Sequence, residues 1–417
     1  MTNTAGGAVD IDEAPSAMLL PDPARVDARY TVISVDDHLV EPPWLFAGRL
    51  PARFADRAPR VEENLHGVQR WVFDGREFPQ LGLNAMVGRI DRDDFTQEPS
   101  RFSDMRRGAW DIDYRIRDMD LAGIWASVCF PSQITGFCGR IYSACSDPDL
   151  GFAVTQAFND WIAEEWAGRY PQRIVPLGIT WLADAELGAR EIRRNAARGF
   201  TAVSLPEQPT NIGLASLHRG WWDPILAACE ETDTAVCLHV GSSGVLMPFD
   251  PLGPVSGTVA TLFQAQTMAA MTEWVWSAIP LRFPALKIVA SEGGIGWVPA
   301  MYDRLRHQIE VSGHGRKVWP SKEIGPHEVL LRNFHFCTID DPSSVDSMVA
   351  LAPDKIMVET DYPHADSTWP DCQTHLYRAL GHLPAPTIRA LCHENAARVF
   401  RHPLPPHCLP QGNPDER

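Results

Sequence analysis

The stretch Ser34-Val35-Asp36-Asp37-His38-Leu39-Val40-Glu41-Pro42-Pro43 is the one around which the chain is organised. It follows Tyr30-Thr31-Val32-Ile33, a β-branched run that predicts a buried strand ending on two acids and an imidazole. Because side chains alternate along a strand, we expect Asp36 and His38 to share one side and Asp37 to face the other. A carboxylate and an imidazole on one side of a strand end can bind one metal ion. A turn built of polar residues is the alternative.

Composition narrows the class of protein. The chain has 417 residues, of which 45% are hydrophobic, within the range of one large barrel domain with insertions. A net charge of −16 without a Lys/Arg-rich run argues against nucleic acid and membrane as partners. We find no signal-peptide pattern and no apolar stretch of about 18 residues, so we expect a cytoplasmic protein. Nine scattered cysteines without a CxxC pair fit reduced thiols.

From residue 114 onward, predicted helices and strands alternate. Such alternation predicts parallel strands, since a parallel pair needs a crossover connection, and eight units predict a (β/α)8 TIM barrel. No GxGxxG follows the first strand, which argues against a dinucleotide-binding sheet. After the opening strand, the predicted strands are 125–131, 173–180, 201–205, 235–240, 287–291, 333–338 and 355–361, and the predicted helices are 114–122, 148–169, 183–198, 221–232, 268–283, 299–307, 343–351, 374–380 and 385–400.

The sequence predicts a single α/β domain over residues 29–403 with an insertion after the first strand. Residues 1–28 and 404–417 are expected to be flexible tails. The insertion, about 53–110, lacks a sustained helical period, and Asp74-Gly75 between apolar arms predicts a hairpin within it. A lid over the barrel and an oligomer contact are both compatible with its sequence.

Polar residues follow the predicted strands where a barrel of this kind has its active site. The first strand ends in Asp36 and His38, the fifth in His239 and the eighth in Asp361, while Glu292 follows the sixth. Two imidazoles and two carboxylates would converge on one face, a set that suits Zn²⁺ first and also Mn²⁺ or Fe²⁺. Each residue alone has a structural alternative, as a buried histidine or a turn carboxylate. Their combination at separate strand ends favours a metal site.

Large aromatic side chains near strand ends predict the walls of a pocket for a flat substrate, with core packing as the alternative. A histidine after the eighth strand is a further polar group for this pocket. These substrate-binding candidates are Trp44, Phe46, Trp297, Trp369 and His364.

The chain carries an ordered set of motifs over about residues 32–400. They are Asp36-x-His38 with Glu41-Pro42, His239, Thr360-Asp361-Tyr362-Pro363-His364 and Asn395-Ala396-Ala397-Arg398-Val399-Phe400. This set resembles the amidohydrolase-related family, in the branch that contains aminocarboxymuconate semialdehyde decarboxylase and γ-resorcylate decarboxylase, together with some hydrolases. The resemblance implies one divalent metal on the four strand-end ligands, and a homodimer or larger homo-oligomer.

The chain departs from this family after the sixth strand, where members carry a histidine and this chain has Ser291-Glu292. Proton transfer would then fall to Glu292, with a pKa raised in a dry pocket, or to Asp361 alone. The family also has an arginine five residues after the proline of this segment, which Arg304 after Pro299 matches. The resemblance implies that Arg304 orients a substrate carboxylate, and an arginine on a helix surface is the alternative.

The resemblance leaves two chemistries open. The first is non-oxidative decarboxylation of an aromatic or conjugated carboxylic acid, because an acid-x-His first strand goes with decarboxylases in this family. The metal would hold the substrate while Asp361 or Glu292 protonates the carbon that loses CO₂. The alternative is hydrolysis of an amide, ester, lactone or C–C bond, with Asp361 taking the proton of a metal-activated water. A third hypothesis, a catalytically inactive binding scaffold, is disfavoured by the intact ligand set.

Overall fold

The strands of this protein are short, and those of the barrel are fully buried. The computed structural model describes residues 15–94, 98–244, 246–250 and 252–410, so parts of both predicted tails (1–14 and 411–417) lie outside the described residues. The strands are β1 (Ile33–His38), β2 (Arg60–Glu63), β3 (Gln69–Phe73), β4 (Arg76–Phe78), β5 (Ala126–Phe130), β6 (Ile174–Val175), β7 (Leu177–Gly178), β8 (Ala202–Leu205), β9 (Ala235–His239), β10 (Ile288–Ser291), β11 (Phe334–Thr338) and β12 (Ile356–Val358).

The parallel strands run in the order of a TIM barrel. One sheet has the order β1-β5-β6 and the other the order β12-β11-β10-β9-β8-β7. β6 and β7 are the two halves of one predicted strand, divided at Pro176, which has no N–H to donate to a ladder. With these halves counted together, eight strand positions follow one another, as the sequence predicted. Apolar side chains such as Val35, Val128, Cys237 and Met357 form a separate buried cluster in the barrel interior.

Helices connect the strands and pack outside them. The helix predicted at 268–283 begins earlier, at Val255. The sequence analysis missed this start because the stretch from there to Thr272 has no charged residue and hence no amphipathic period. The helices are α1 (Ile112–Ala122), α2 (Arg140–Ser143), α3 (Pro148–Trp161), α4 (Ala167–Arg169), α5 (Ala185–Ala196), α6 (Asp223–Glu231), α7 (Val255–Trp276), α8 (Ile279–Arg282), α9 (Val298–Glu310), α10 (Pro326–Asn333), α11 (Val345–Leu351), α12 (Cys372–Leu380), α13 (Ala385–Arg389) and α14 (Asn395–Phe400).

The insertion after β1 contains the predicted hairpin. β2, β3 and β4 form an antiparallel sheet, and Asp74 and Gly75 at the β3–β4 turn are both left-handed, with φ of 50° and 72°. The rest of the insertion crosses the segment that follows β12. Val87 N donates to Pro363 O at 3.1 Å. Arg92 donates to three carbonyls of the same segment, at 2.7 Å to Ala365 O and 2.9 Å to Trp369 O, and also to Ser367 O.

Replacing Arg92 by Ala is expected to loosen the segment 365–369. Three carbonyls lose a charged donor, so we expect the free energy of unfolding to fall by about 2–3 kcal/mol. We also expect faster hydrogen exchange in this segment, measured beside urea unfolding. Arg60→Ala is the control, because its exposed ion pair with Glu62 contributes less than about 1 kcal/mol. Equal stability of the Arg92 and Arg60 variants would contradict the role of Arg92.

Two further features bear on the class of protein. Among the helices that the structure describes, none has the combination of length and hydropathy that a membrane crossing needs. All nine cysteines are free thiols, and Cys408 is the one that is not fully buried.

Candidate metal centre

Four predicted ligands meet at the carboxyl end of the barrel. The two imidazoles face each other, with His38 Nε2 3.1 Å from His239 Nε2. Asp36 lies beside both, at 3.5 Å from His38 Nε2 and 3.6 Å from His239 Nε2. Asp361 Oδ1 lies 3.2 Å from His38 Nε2. Each of the four residues is at most 1% exposed, so the sequence brings two nitrogens and two carboxylates together in a site shielded from water.

A bulge in β1 aims its two ligands inward. The register between β1 and β5 shifts between Ser34 and Asp37. Val35 already belongs to the interior cluster, so the extra residue allows Asp36 and His38 to point inward as well. Asp37 faces the other way, as strand alternation predicted. On β9 no bulge is needed, because Cys237 and His239 share the inner side by plain alternation.

Two carboxylates of the site stand on left-handed backbone. Glu292 and Asp361 both have φ of 53°, a conformation that costs a residue with a side chain about 1 kcal/mol or more. Asp361 N donates to Asp36 O at 2.9 Å, and Glu292 N donates to Glu359 Oε2 at 3.2 Å. These bonds hold both residues in place. Glu292 Oε2 thereby lies 3.1 Å from His239 Nε2.

His364 and Phe137 complete the surroundings of the imidazoles. His364 Nδ1 lies 3.0 Å from Asp361 Oδ1, and its ring stacks on His38 with centroids 3.7 Å apart. Phe137 lies 4.8 Å from the His239 ring and 5.6 Å from the His38 ring, on a left-handed backbone with φ of 64°. The sequence analysis missed Phe137. The available signal was its place after a strand end, next to the turn residue Gly136.

The sequence analysis also missed two carboxylates near the centre. Glu359 is buried and lies two residues before Asp361. Residues two apart in an extended strand share one side, and this spacing was the available signal in the sequence. Asp366 lies in a group with Glu292 and Asp361 whose ligand atoms are within 4.8 Å of one another. Acidic groups therefore outnumber the imidazoles around the centre, a charge distribution that favours a cation.

Burial and neighbouring charges shift the pKa values at the centre. Burial, then the charges of Glu359 and Glu292, raises the pKa of Asp36 well above its ordinary value. Burial lowers the pKa of His239 to about 4 and that of His38 well below its ordinary value, so both imidazoles are neutral at pH 7. Burial alone would raise the pKa of Asp361, but His364 and His38 lower it. Neutral imidazoles beside a carboxylate are the protonation states that a metal ion requires.

The hydrogen-bond pattern supports the fit to a divalent cation. His239 Nδ1 lies 2.6 Å from Val240 O and donates to it, which leaves the lone pair on Nε2 aimed at the centre. Both carboxylate oxygens of Asp36, and Oδ2 of Asp361, are buried without a hydrogen-bond donor. Buried acceptors without donors are costly, and a cation between them removes that cost. The four residues therefore fit a mononuclear N₂O₂ site.

The predicted aromatic walls and Arg304 do not contact the two imidazoles among the described residues. Arg304 is exposed on α9. Among the described ring contacts, none joins the four predicted aromatic walls to His38 or His239. Trp44 packs against Trp110, Phe46 against Trp71 and Tyr142, Trp297 against Phe336 and Trp369 against Tyr362.

Glu41, from the opening motif, gives the fold a pH-dependent stability. It is buried and accepts hydrogen bonds from Ser132 N, at 3.0 Å, and Ser132 Oγ. Burial outweighs these bonds and raises its pKa from 4.5 to about 7. A raised folded-state pKa means that the stabilisation is complete below pH 4.5 and is lost as the pH rises through 7.

We therefore expect wild type to lose up to about 3 kcal/mol relative to Glu41→Gln between pH 4.5 and pH 8, in urea unfolding. Exposed Glu323→Gln is the control and should follow wild type at every pH. Parallel pH curves for wild type and the Glu41 variant would contradict this assignment.

Comparisons with known proteins identify the family of the chain and support its fold. A sequence family described as Amidohydrolase matches residues 38–402. An amidohydrolase from Mycobacterium avium subsp. paratuberculosis K-10 is similar at 22% identity and a TM-score of 0.70, over 90% of this chain and 100% of that one. A 5-carboxyvanillate decarboxylase from Novosphingobium aromaticivorans, complexed with manganese and 4-hydroxy-3-methoxy-5-nitrobenzoic acid, is similar at 19% identity and a TM-score of 0.61, over 89% and 96%. A 2,6-dihydroxybenzoate decarboxylase from Rhizobium is similar at 16% and 0.57, over 89% and 99%.

Proposed function

This chain belongs to the amidohydrolase family and is a metal-dependent enzyme, and from that premise we propose that it removes CO₂ from an aromatic or conjugated carboxylic acid. The observation that carries the proposal is the convergence of Asp36, His38, His239 and Asp361, with an acid in the first position of the β1 pair. Two enzymes of this fold support it, because 5-carboxyvanillate and 2,6-dihydroxybenzoate, which they decarboxylate, are aromatic carboxylic acids.

The four ligands would hold a divalent cation, Zn²⁺ first and Mn²⁺ as the alternative. When bound, the cation supplies a Lewis acid and a template for the substrate carboxylate and a neighbouring oxygen. Manganese in the 5-carboxyvanillate decarboxylase supports the alternative metal. His364 holds the Asp361 carboxylate through its Nδ1, and the rings of Phe137 and Phe130 flank the imidazoles and exclude water.

We assign the proton transfer to Glu292. Asp361 Oδ1 is already held between His38 Nε2 and His364 Nδ1, at 3.2 Å and 3.0 Å, and is buried. The side chain of Glu292 is 13% exposed, so it is the more accessible of the two carboxyl groups. Its carboxyl would donate a proton to the ring carbon that bears the substrate carboxylate. The bond to the carboxylate then breaks, its electron pair restores the ring, CO₂ leaves and solvent returns one proton to Glu292.

Hydrolysis of an amide, ester, lactone or C–C bond is the second candidate, and Glu292 is the observation that favours it. Its carboxyl group lies 3.1 Å from His239 Nε2. In its ionised form it can take a proton from water, and in its protonated form it can give one to carbon. The two reactions therefore use the same residues and differ in the substrate that the pocket admits.

A substrate panel separates the two reactions. The chain loaded with Zn²⁺ or Mn²⁺ is incubated with hydroxybenzoates, including 2,6-dihydroxybenzoate and 5-carboxyvanillate, and with matched esters, lactones and anilides. We expect metal-dependent CO₂ release from at least one acid, absent in His239→Ala. Turnover of an ester, lactone or anilide with no CO₂ release from any acid would overturn decarboxylation in favour of hydrolysis.

The remaining parts of the proposal concern the chain in its setting. We expect a small-molecule partner, a homodimer or larger homo-oligomer and a cytoplasmic location, with neither nucleic acid nor membrane as a partner. The single-domain organisation over residues 29–403, with its insertion at about 53–110, belongs to the same proposal. Size-exclusion chromatography with light scattering tests the oligomer.

A further inference from the structure

Three of the four proposed ligands come from two strands that none of the described ladders joins. Asp36 and His38 lie on β1 and Asp361 follows β12, but the described ladders link β1 to β5 and β12 to β11. We call the boundary between β1 and the segment 360–362 that follows β12 the seam. Two backbone hydrogen bonds bridge it, from Asp361 N to Asp36 O at 2.9 Å and from His38 N to Tyr362 O at 2.6 Å. The separation of three of the four ligands therefore depends on how the seam closes.

The carboxylate of Asp37 lies at the centre of the seam. It is 1% exposed and faces away from the metal centre. Its Oδ1 accepts hydrogen bonds from Thr360 Oγ1 at 2.6 Å, from Tyr362 N at 3.0 Å and from Ser34 Oγ at 3.0 Å. Its Oδ2 accepts a hydrogen bond from Ser127 Oγ on β5. One side chain thus joins β1, its neighbour β5 and the segment that carries Asp361.

The bonds of Asp37 flank the strained residue. Thr360 and Tyr362 stand directly before and after Asp361, whose backbone is left-handed with φ of 53°. Holding both neighbours fixes the direction in which the Asp361 side chain leaves the backbone. Without these bonds the backbone can relax to an ordinary φ, which turns the carboxylate away from His38.

A buried arginine supports the same seam. Arg115 is 0% exposed, donates to His38 O and to Gly108 O, the latter at 2.7 Å, and lies 4.3 Å from the centroid of the Tyr362 ring. Its positive charge attracts the Asp37 carboxylate and offsets part of the cost of burying it. One guanidinium thereby contacts both the carbonyl of His38, a proposed ligand, and the ring of Tyr362, the residue that follows the ligand Asp361.

We propose that Asp37 is a positioning residue of the metal centre: its carboxylate closes the seam between β1 and β12 and sets the distance between the Asp361 carboxylate and the β1 ligands. The inference rests on the proposed metal centre. Residues that orient metal ligands typically contribute 10- to 100-fold to metal affinity. Asp37 itself contacts neither the substrate nor the metal, so its effect reaches the centre through Asp361.

The experiment measures Mn²⁺ affinity of the apo chain by calorimetry, with circular dichroism to verify folding. We expect Asp37→Asn to bind Mn²⁺ 10- to 100-fold more weakly than wild type. Glu191→Gln is the matched control, a buried carboxylate on α5 bonded to Asn159 and Arg194. It should change stability but not affinity.

A second pair of variants keeps the test decisive should Asp37→Asn not fold. Thr360→Val removes the hydroxyl that donates to Asp37 and is expected to weaken Mn²⁺ binding, whereas Thr360→Ser keeps the hydroxyl and the affinity. If wild type binds Mn²⁺ and Thr360→Val, or a folded Asp37→Asn, binds it equally tightly, this inference is overturned while the proposed function stands. A wild type that binds neither Mn²⁺ nor Zn²⁺ would overturn the proposed function and this inference together.

Discussion

Glu292→Gln is expected to lower kcat for decarboxylation by about 10²- to 10⁴-fold while the metal content of the chain stays at the wild-type level. The amide keeps the shape of the side chain and the backbone bond from Glu292 N to Glu359 Oε2. It removes the carboxyl proton that is delivered to the ring carbon. The measurement is steady-state CO₂ release on the best acid of the panel, with metal content determined on the same preparations.

The control for this substitution is Glu323→Gln, the same chemical change at an exposed position. It should leave kcat and metal content unchanged. Two results would contradict the assignment of Glu292 as proton donor. An unchanged kcat would move proton transfer to Asp361, and a loss of metal together with activity would make Glu292 a ligand.

His239→Ala is expected to weaken metal binding by at least about 100-fold and to abolish turnover at micromolar metal. The imidazole supplies one of two neutral nitrogens, and its Nδ1 bond to Val240 O fixes the Nε2 lone pair toward the centre. Removing a ligand costs more than removing a residue that orients one, for which 10- to 100-fold is typical. The measurement is a competition titration against a chromophoric chelator, followed by activity at saturating Mn²⁺.

His218→Ala provides the comparison, because His218 is exposed and pairs with Glu273 on the surface. It should bind metal like wild type. If His239→Ala retained wild-type affinity, His239 would not be a ligand, and the site would have to be built on His38, Asp361 and His364 instead.

The barrel followed from the sequence because its signals are local. Each buried strand is a short apolar run, and each ends at a turn or a polar residue, as in Val35-Asp36 and Leu238-His239. The start of α7 was missed because its first turns carry no charged face. The division of the third strand at Pro176 was also missed, because the apolar run continues on both sides of the proline and predicts one strand.

The four proposed ligands were placed together from the sequence because parallel strand ends meet at one edge. Phe137 and Glu359 were missed for different reasons. Phe137 reaches the imidazoles through a left-handed loop residue, which no pattern of apolar residues reveals. Glu359 was read as an ordinary residue near the end of the predicted strand 355–361. It lies two residues before Asp361, so alternation places its side chain on the inner side of the barrel.

The substrate-binding roles of the aromatic residues and of Arg304 stay predictions. Trp44, Trp297 and Trp369 follow strand ends, but their rings contact other aromatic side chains of the core. Arg304 matched a family spacing, yet on α9 the buried face is formed by Met301 and Leu305 and leaves Arg304 exposed. Helix phase decides which face of α9 carries Arg304, and a spacing of five residues from Pro299 does not encode that phase.

The most direct test of the metal centre is anomalous X-ray diffraction at the zinc absorption edge, on crystals of the wild-type chain grown with Zn²⁺. We expect one strong peak per chain, about 2.0–2.2 Å from the Nε2 atoms of His38 and His239 and from carboxylate oxygens of Asp36 and Asp361. The peak should vanish in His239→Ala. A peak elsewhere on the chain, or none at saturating Zn²⁺, would contradict the metal centre and the decarboxylation built on it.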